Sequence, residues 1–383
     1  MPKELRLMIV AGEPSGDAHA AALVNALRKL APDTKFFGAT GPQLRAAGVD
    51  TVVATDHLSI VGLVEIGGAL PKFLRAYKQL KRAATERNAD AVVLVDWPDF
   101  NLPLAHALHR RGITVIYYIS PQLWAWRSGR VKKIKRDVDL LLTILPFEVD
   151  WYTQQGVEHV EFVGHPLAGE VHARYDRREF CKRHHLDPDS PIVSLLPGSR
   201  HKELVRILPP MLDAAARMAE QRSEIQFVLV VAPSRSIAEA QVIVNEFKSL
   251  PPESLKIVHH ETREALAASD LAAVASGTAT LEAALLETPM VIVYRESAFN
   301  WHTLGNLIST DHYGLVNLIA GERIVPELIQ DDLNGERLAN ELLDLLKPDK
   351  NAAMKMRLKE VIAKLGEGGA SEKAAKAILR ELK

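Results

Sequence analysis

The chain has 383 residues, of which 47% are hydrophobic and 25% are charged, and its formal net charge is −1. This composition is typical of a globular protein of about two domains, and the balanced charge argues against a nucleic-acid-binding protein. The single cysteine, Cys181, excludes an internal disulfide and a thiolate metal cage, which fits a reducing compartment.

Two further features of the sequence concern membranes and secretion. The first residues enter a strand directly, without the apolar segment and small-residue cleavage site of a secretory signal. The longest stretch without a formal charge, residues 112–126, is shorter than the ~20 apolar residues of a membrane-spanning helix. We therefore expect a cytoplasmic protein that is soluble or attached to a membrane surface.

The N-terminal half alternates predicted strands and helices. A strand at residues 5–11 leads through a Gly-Ser turn into a helix at about 18–30. The apolar run 91–95 is typical of a buried parallel strand and ends at Asp96. Open α/β sheets bind ligands beyond the carboxyl ends of their strands, so Asp96 is well placed for chemistry. Further strands are predicted at residues 35–39, 114–119, 140–144 and 160–163.

The segment from residue 58 to 74 is unusually apolar and leads into a basic helix. It has two interpretations: a surface that docks on an anionic bilayer, or a core strand and helix with a solvated charged side. The basic residues are Lys72, Arg75, Lys78, Lys81 and Arg82.

The C-terminal half repeats the same architecture after a boundary near residue 166. Strands are predicted at residues 192–196, 227–231, 256–259, 271–275 and 290–294, and helices at 337–346, 352–365 and 372–382. Alternating units of this kind predict an α/β protein with two doubly wound domains, 1–166 and 167–350, whose facing loops form the site. The terminal helices, 351–383, are expected to cross back onto the first domain or onto a partner subunit.

The turn after the predicted strand 271–275 has the features of a phosphate site. The first N–H groups of a helix have no intrahelical partner and attract anions, and Gly277 leaves them accessible. Ser276 and Thr278 add hydroxyl groups, and Glu282 lies one turn along, where it could accept hydrogen bonds from a ribose diol. The alternative is a capped helix with a solvated Glu282. Neither a G-x-G-x-x-G nor a P-loop pattern is present here.

Six separated motifs, spread over nearly the whole chain, resemble those of the lipid-A-disaccharide synthase family. They are GEPSGD (12–17), VDWPDFN (95–101), SPQLWAWR (120–127), GHP (164–166), LLPGSRHKE (195–203) and SGTATLEAALLETPMVIVYR (276–295). The resemblance implies two Rossmann-like domains of the B-type glycosyltransferase fold. It also implies an inverting transfer of 2,3-diacylglucosamine from its UDP derivative to the 6-hydroxyl of 2,3-diacylglucosamine 1-phosphate (lipid X).

The resemblance and the chemistry of the motifs together suggest roles for individual residues. Asp96 is the first candidate for the base that deprotonates the acceptor hydroxyl, although it or Asp99 could instead cap the following helix. Asp17 and His19 are competing candidates for the base. Arg200 is the candidate for stabilising the departing UDP, because a guanidinium grips phosphate oxygens in pairs.

The remaining candidates are binding residues. The substrate and UDP candidates are Ser15, Gly16, Asp17, Gly198, Ser199, Ser276, Gly277, Thr278, Glu282 and, more weakly, Asn317. The candidates for contact with acyl chains or a lipid phosphate are Trp124, Trp126 and Arg127. No metal and no cofactor are expected.

The same reasoning sets expectations for partners and location. The substrates would be UDP-diacylglucosamine and lipid X, and no nucleic acid is expected. The protein would associate peripherally with the cytoplasmic face of the inner membrane of a Gram-negative-type bacterium, and a homodimer is left open. Two rival functions remain: a UDP-N-acetylglucosamine 2-epimerase-like enzyme and a non-catalytic nucleotide-sugar-binding protein.

Overall fold

The computed structural model describes residues 4–56, 66–247, 249–297 and 312–383, with the backbone alone for residues 66–70. The predicted membrane-docking segment, 58–74, therefore lies largely outside the described residues. The described chain divides into two compact units. Unit 1 takes the chain up to Pro166 together with Glu367–Lys383, and unit 2 takes Leu167–Gly366.

Unit 1 is built on a seven-stranded parallel sheet. Its strands are β1 (Arg6–Ala11), β2 (Lys35–Thr40), β3 (Asp50–Ala54), β4 (Ala91–Val95), β5 (Thr114–Tyr118), β6 (Leu140–Thr143) and β7 (Val160–Phe162), in the order β3-β2-β1-β4-β5-β6-β7. Its helices are α1 (Pro14–Leu30), α2 (Pro42–Ala46), α3 (Ile66–Glu86), α4 (Pro98–His109), α5 (Val131–Asp137) and α6 (Glu148–Gln154).

The helices of unit 1 cover both faces of the sheet. Alternate residues of β1 point into two separate apolar clusters, with Met8 and Val10 in one and Leu7 and Ile9 in the other. Strand β4 is buried along its whole length, which explains its unbroken apolar sequence. The sheet thus has the doubly wound architecture that the sequence predicts.

The strand order of unit 1 reverses between β1 and β4. These strands are paired in parallel with Ala11 opposite Val95, so that the loops after the two strands begin side by side. In open α/β sheets this switch point is where ligands bind. The fold therefore brings the motifs at 12–17 and 95–101 together.

Unit 2 contains a second parallel sheet, of six strands among the described residues. They are β8 (Ile192–Leu196), β9 (Gln226–Val231), β10 (Leu255–His259), β11 (Leu271–Ala275), β12 (Met290–Tyr294) and β13 (Glu327–Ile329), in the order β10-β9-β8-β11-β12-β13. Its helices are α7 (Arg177–His184), α8 (His201–Gln221), α9 (Ile237–Glu246), α10 (Thr262–Ala268), α11 (Thr278–Leu285), α12 (Leu315–Ala320), α13 (Gly335–Leu345) and α14 (Pro348–Lys364). Its switch point lies between β8 and β11.

The last helix, α15 (Ala370–Glu381), belongs to unit 1 although it follows unit 2 in the chain. Its residues Ala374 and Ile378 are fully buried in the same apolar cluster as Leu23 and Leu27 of α1. The helix begins at Ala370, after its N-cap Gly369, two residues before its predicted start at 372. No helix in the described part of the chain is long and apolar enough to cross a membrane.

Candidate functional site

Asp96 occupies a sharply turned backbone directly after β4. Asp96 and Trp97 both adopt left-handed conformations, with φ of 48° and 51°. The carbonyl oxygen of Asp96 accepts hydrogen bonds from the Tyr117 hydroxyl, at 2.6 Å, and from the Asn101 side-chain amide, at 2.7 Å. Such a conformation costs on the order of 1 kcal/mol or more per residue and persists where neighbouring groups hold it. The carboxylate of Asp96 is therefore positioned by a rigid turn.

The carboxyl group of Asp96 is more basic than an ordinary aspartate. Burial raises its pKa to about 6, the nearby charge of Glu13 adds to the rise, and the backbone N–H of Trp97 opposes it. A group with this pKa is largely ionised at neutral pH yet accepts a proton more readily than a solvated carboxylate. Asp96 has the properties of a general base.

The loop after β1 is shaped around Trp97. A Cβ added to Gly12 would lie 2.1 Å from the indole, so a glycine is required there. Trp97 is buried and stacks on Phe100, with ring centroids 4.2 Å apart. The two motifs are therefore complementary in shape.

Asp17, a candidate for contact with substrate and for the base, has a structural role in the fold. It is 2% exposed, and its carboxylate accepts hydrogen bonds from the backbone N–H groups of Gly41, Gln43 and Leu44, at the N-terminus of α2. Of the other two substrate candidates in this turn, Ser15 is exposed and Gly16 is buried.

His19 is the other competitor for the role of base. Burial lowers its pKa, which makes the imidazole a weaker base. Burial also lowers the pKa of His165 to about 4, and the proximity of His19 contributes to the shift. Both imidazoles are therefore weaker bases than an ordinary histidine, and His19 stays a competing candidate for the base.

Trp124, a candidate for contact with acyl chains or a lipid phosphate, is buried. Its indole N–H donates to Glu148 at 3.0 Å, and its ring packs edge-on against Phe147. Glu148 is 1% exposed and also accepts the backbone N–H of Leu145, while burial raises its pKa to about 7. No local sequence pattern indicates the role of Glu148, which anchors this loop from 24 residues away.

Trp126 and Arg127, in contrast, are exposed. The Arg127 guanidinium lies over the Trp126 ring, 4.5 Å from its centroid, and donates to Asp99 at 3.2 Å. Arg130 also donates to the same carboxylate oxygen of Asp99. The side chain of Asp99 makes no capping hydrogen bond to α4, so the capping interpretation of Asp99 is wrong. Arg130 lies outside the motif at 120–127, and nothing in its local sequence indicates this contact.

In unit 2, the N-terminus of α11 is open. Gly277 is the N-cap residue, with φ of 154°, and the helix has no side-chain capping hydrogen bond. A Cβ added to Gly277 would meet no described atom within 4 Å. Gly277 and Thr278 are exposed, and the Ser276 hydroxyl donates to the Tyr313 carbonyl at 2.8 Å. An eight-residue helix whose N-terminus has no side-chain cap and no described atom close to Gly277 can accept a phosphate.

Glu282 lies on the same helix and is paired rather than merely solvated. Its carboxylate accepts a hydrogen bond from Arg263 at 3.1 Å. Arg263 also donates to the backbone carbonyl of Glu170, at 3.1 Å, which fixes the guanidinium from a second direction. The orientation of Glu282 is therefore set by its partner.

The N-terminus of α8 differs from that of α11. The carboxylate of Glu203 accepts the backbone N–H groups of Ser199 and Arg200, at 2.9 and 3.1 Å, and the Arg200 guanidinium at 2.8 Å. Gly198 makes room for this carboxylate, because a Cβ there would lie 2.4 Å from it. The Glu203 carboxylate thus occupies the backbone amides of Ser199 and Arg200, which are predicted to bind phosphate. The Arg200 side chain remains 67% exposed.

Asn317 is a structural residue. It is fully buried, and its amide donates to the Val325 carbonyl and to Glu327 and accepts the backbone N–H groups of Ile324 and Val325. These hydrogen bonds fix the segment that leads into β13. The side chain therefore has a packing role, and its contact with a nucleotide stays a prediction.

Comparison with known proteins adds evidence from sequence. The family model described as lipid-A-disaccharide synthetase matches residues 7–380. A lipid-A-disaccharide synthase of Solibacter usitatus is 43% identical over 380 residues, covering 99% of this chain and 97% of the relative.

Solved structures establish the fold. The glycotransferase of kitacinnamycin matches with a TM-score of 0.66 and 17% identity over all of both chains. The UDP-GlcNAc 2-epimerase of Neisseria meningitidis bound to UDP-GlcNAc also matches with a TM-score of 0.66, at 11% identity, covering 99% of this chain and all of that one. Both neighbours have the fold of B-type glycosyltransferases and related epimerases, so the fold alone does not separate the two activities. The sequence match does separate them, and the chain belongs to the lipid-A-disaccharide synthase family.

Proposed function

We propose that this protein transfers 2,3-diacylglucosamine from its UDP derivative to the 6-hydroxyl of 2,3-diacylglucosamine 1-phosphate. The products are the β-1,6-linked disaccharide 1-phosphate and UDP. Membership of the family supports a glycosyltransferase of lipid A synthesis. The observation that carries the chemical assignment is Asp96, a carboxylate of raised pKa held in a rigid turn at the switch point of unit 1.

The proposed reaction is a single displacement with inversion at the sugar carbon. Asp96 accepts the proton of the acceptor 6-hydroxyl as that oxygen attacks C1 of the donor sugar. The bond between C1 and the phosphate oxygen breaks, and its electron pair leaves with UDP. A base positioned in this way contributes roughly 10²–10⁴-fold to the rate of such a step.

The departing UDP requires stabilisation of negative charge, and unit 2 supplies suitable groups. We assign the diphosphate to the open N-terminus of α11 at Gly277 and Thr278, and the ribose hydroxyls to Glu282. The exposed Arg200 guanidinium is assigned to the diphosphate through its side chain, since Glu203 occupies the nearby amides. No step of this mechanism requires a metal or a cofactor.

The proposed substrates carry acyl chains, so the protein must meet a membrane surface. In the described part of α3, Leu74 is 52% exposed beside the exposed Lys72, Arg75 and Lys78. An apolar side chain flanked by cations supports peripheral attachment to an anionic bilayer, where each nearby Lys or Arg adds about 1 kcal/mol. We therefore propose attachment to the cytoplasmic face of the inner membrane.

The test is release of UDP from UDP-2,3-diacylglucosamine by the purified protein in nonionic detergent with a chelator, with and without the acceptor. We expect release only with the acceptor, together with a new disaccharide. Release without acceptor, or interconversion of the donor sugar, would favour an epimerase. Tight UDP binding with no release in either condition would favour a non-catalytic binding protein.

A further inference from the structure

Two arginines from one loop converge on a single oxygen of Asp99. Arg127 donates to this oxygen at 3.2 Å, and Arg130 donates to it as well. The arrangement is an anion-binding site in which the anion is at present a side chain of the protein itself. Paired guanidinium groups of this kind suit phosphate oxygens, because several N–H donors point to one oxyanion.

The carboxylate in this cluster is easily replaced. The side chain of Asp99 is 73% exposed, whereas that of Arg130 is only 23% exposed. An exposed ion pair contributes little net stability, so a ligand with more charge and more acceptor oxygens can displace it. Arg127 is held independently of Asp99 by its stacking on the Trp126 ring.

The cluster lies close to the proposed base along the chain and in space. Asp99 is in the first turn of α4, which begins immediately after Asp96 and Trp97. Arg130 is near enough to Tyr117 for its charge to act on that hydroxyl, and the same hydroxyl holds the Asp96 carbonyl. Tyr117 therefore holds the backbone of the proposed base and lies within reach of the charge of Arg130.

We propose that Arg127 and Arg130 bind the anomeric phosphate of the acceptor, with Asp99 holding the two guanidinium groups until the phosphate takes its place. This inference rests on the proposed function. The acceptor carries its phosphate on C1 and its nucleophilic 6-hydroxyl on the CH₂OH group of C5, and these two carbons flank the ring oxygen. It therefore needs a base and an anion site a short distance apart. The loops at 96–99 and 127–130 supply these two groups from one unit.

The proposal is tested by comparing two acceptors, 2,3-diacylglucosamine 1-phosphate and 2,3-diacylglucosamine, in nonionic detergent without other anionic lipid. The wild-type protein should prefer the phosphorylated acceptor. Arg130→Ala and Arg127→Ala should each raise KM for that acceptor ~10- to 100-fold and leave KM for the other nearly unchanged. Arg130→Lys should recover only part of the preference, because it keeps the charge and loses the fork.

Lys132→Ala is the matched control, since it removes an exposed positive charge two residues from Arg130. It should leave the preference between acceptors intact. Asp99→Asn should lower KM for the phosphorylated acceptor several-fold, because it removes the competing anion. A rise in that KM in Asp99→Asn would overturn the exchange of Asp99 for phosphate.

Direct binding of each acceptor without donor separates this inference from the proposed function, because it needs no turnover. A wild-type protein that binds the two acceptors equally would overturn the phosphate site. So would an Arg130→Ala protein that loses affinity for both acceptors equally. If the arginine variants instead lose affinity for UDP, the donor diphosphate is the ligand of the pair and the inference is wrong.

Discussion

The indole of Trp97 covers Gly12 so closely that no other residue fits beneath it: an added Cβ would come within 2.1 Å of the ring. Trp97 also follows Asp96 in the chain, and both residues are left-handed. The position of Asp96, the proposed base, therefore depends on the lack of a side chain at Gly12, in the loop after β1.

We expect Gly12→Ala to push Trp97 and the Asp96 turn out of place. Overpacking of this kind costs roughly 1–3 kcal/mol, and the loss of turnover should exceed what the loss of stability explains. Urea unfolding and acceptor-dependent UDP release measure the two effects. Trp97→Ala in the Gly12→Ala background should recover part of the stability, and strictly additive losses would show that the two residues do not interact.

Asp96→Asn should remove turnover by about 10²-fold or more and leave UDP affinity intact, because the amide cannot accept the proton. In the wild-type protein, kcat/KM should fall about tenfold per pH unit below about pH 6, where the raised pKa of Asp96 protonates the base. Steady-state kinetics and UDP titration test both. Normal turnover in Asp96→Asn would remove the assignment.

The same pKa predicts an effect on stability. A folded pKa of about 6 lies above the ordinary value of 3.8, so the ionised carboxylate destabilises the fold at neutral pH. The contribution of Asp96 to stability is complete below about pH 4 and is lost as the pH rises through about 6. We expect Asp96→Asn to be more stable than the wild type near neutral pH by on the order of 2 kcal/mol, with the difference vanishing below about pH 4. Denaturant unfolding across this pH range measures it.

Gly277→Ala should weaken UDP binding at least about 10-fold, because the new methyl group lies where the phosphate would approach the α11 amides. Gly321→Ala is a matched control: it too has a positive φ, of 81°, and open space around an added Cβ, and it ends α12. Gly277, with φ of 154° and ψ of −164°, has a backbone conformation that is essentially restricted to glycine, so its substitution should cost more stability than that of Gly321, which is left-handed. Equal UDP affinity in the two variants would place the diphosphate elsewhere.

Arg200→Ala should raise the Kd for UDP ~10- to 100-fold, the effect of losing a charge-assisted hydrogen bond to phosphate. Arg217→Ala, on the same helix and in a similar exposed pair with Asp213, should leave the Kd unchanged. Calorimetric titration with UDP compares them. If Arg200→Ala binds UDP normally, its guanidinium serves only the pairing with Glu203 seen in the structure.

The sequence predicted the buried elements of the fold well, for a physical reason. Strands such as β4 and β11 are covered on both faces and therefore read as unbroken apolar runs. Strand β3, at the sheet edge, consists mostly of exposed residues, and β13 has only three residues, so neither has a recognisable sequence pattern. Helix α1 begins at Pro14, four residues before its predicted start, because proline is accepted in the first turn.

The candidate site was predictable only where a residue's role is local. The position of Asp96 follows from the end of a strand, and that of Gly277 from the start of a helix. The roles of Trp124 and Asp17 depend on partners 24 or more residues away, which no spacing rule reveals. A sequence motif does not distinguish a polar or aromatic residue that faces a ligand from one that faces the protein interior, which is why both residues are predicted to contact substrate.

The return of α15 to unit 1 has a consequence for synthesis of the chain. A ribosome produces residues 167–366 before it produces Ala370–Glu381, so unit 2 has all its residues while the apolar stripe of α1 around Leu23 and Leu27 still lacks its cover. Multidomain chains usually complete their N-terminal domain first during translation. Here unit 1 is the first to be synthesised and the last to be completed. The uncovered apolar stripe of α1 is the surface that a nascent-chain chaperone would bind.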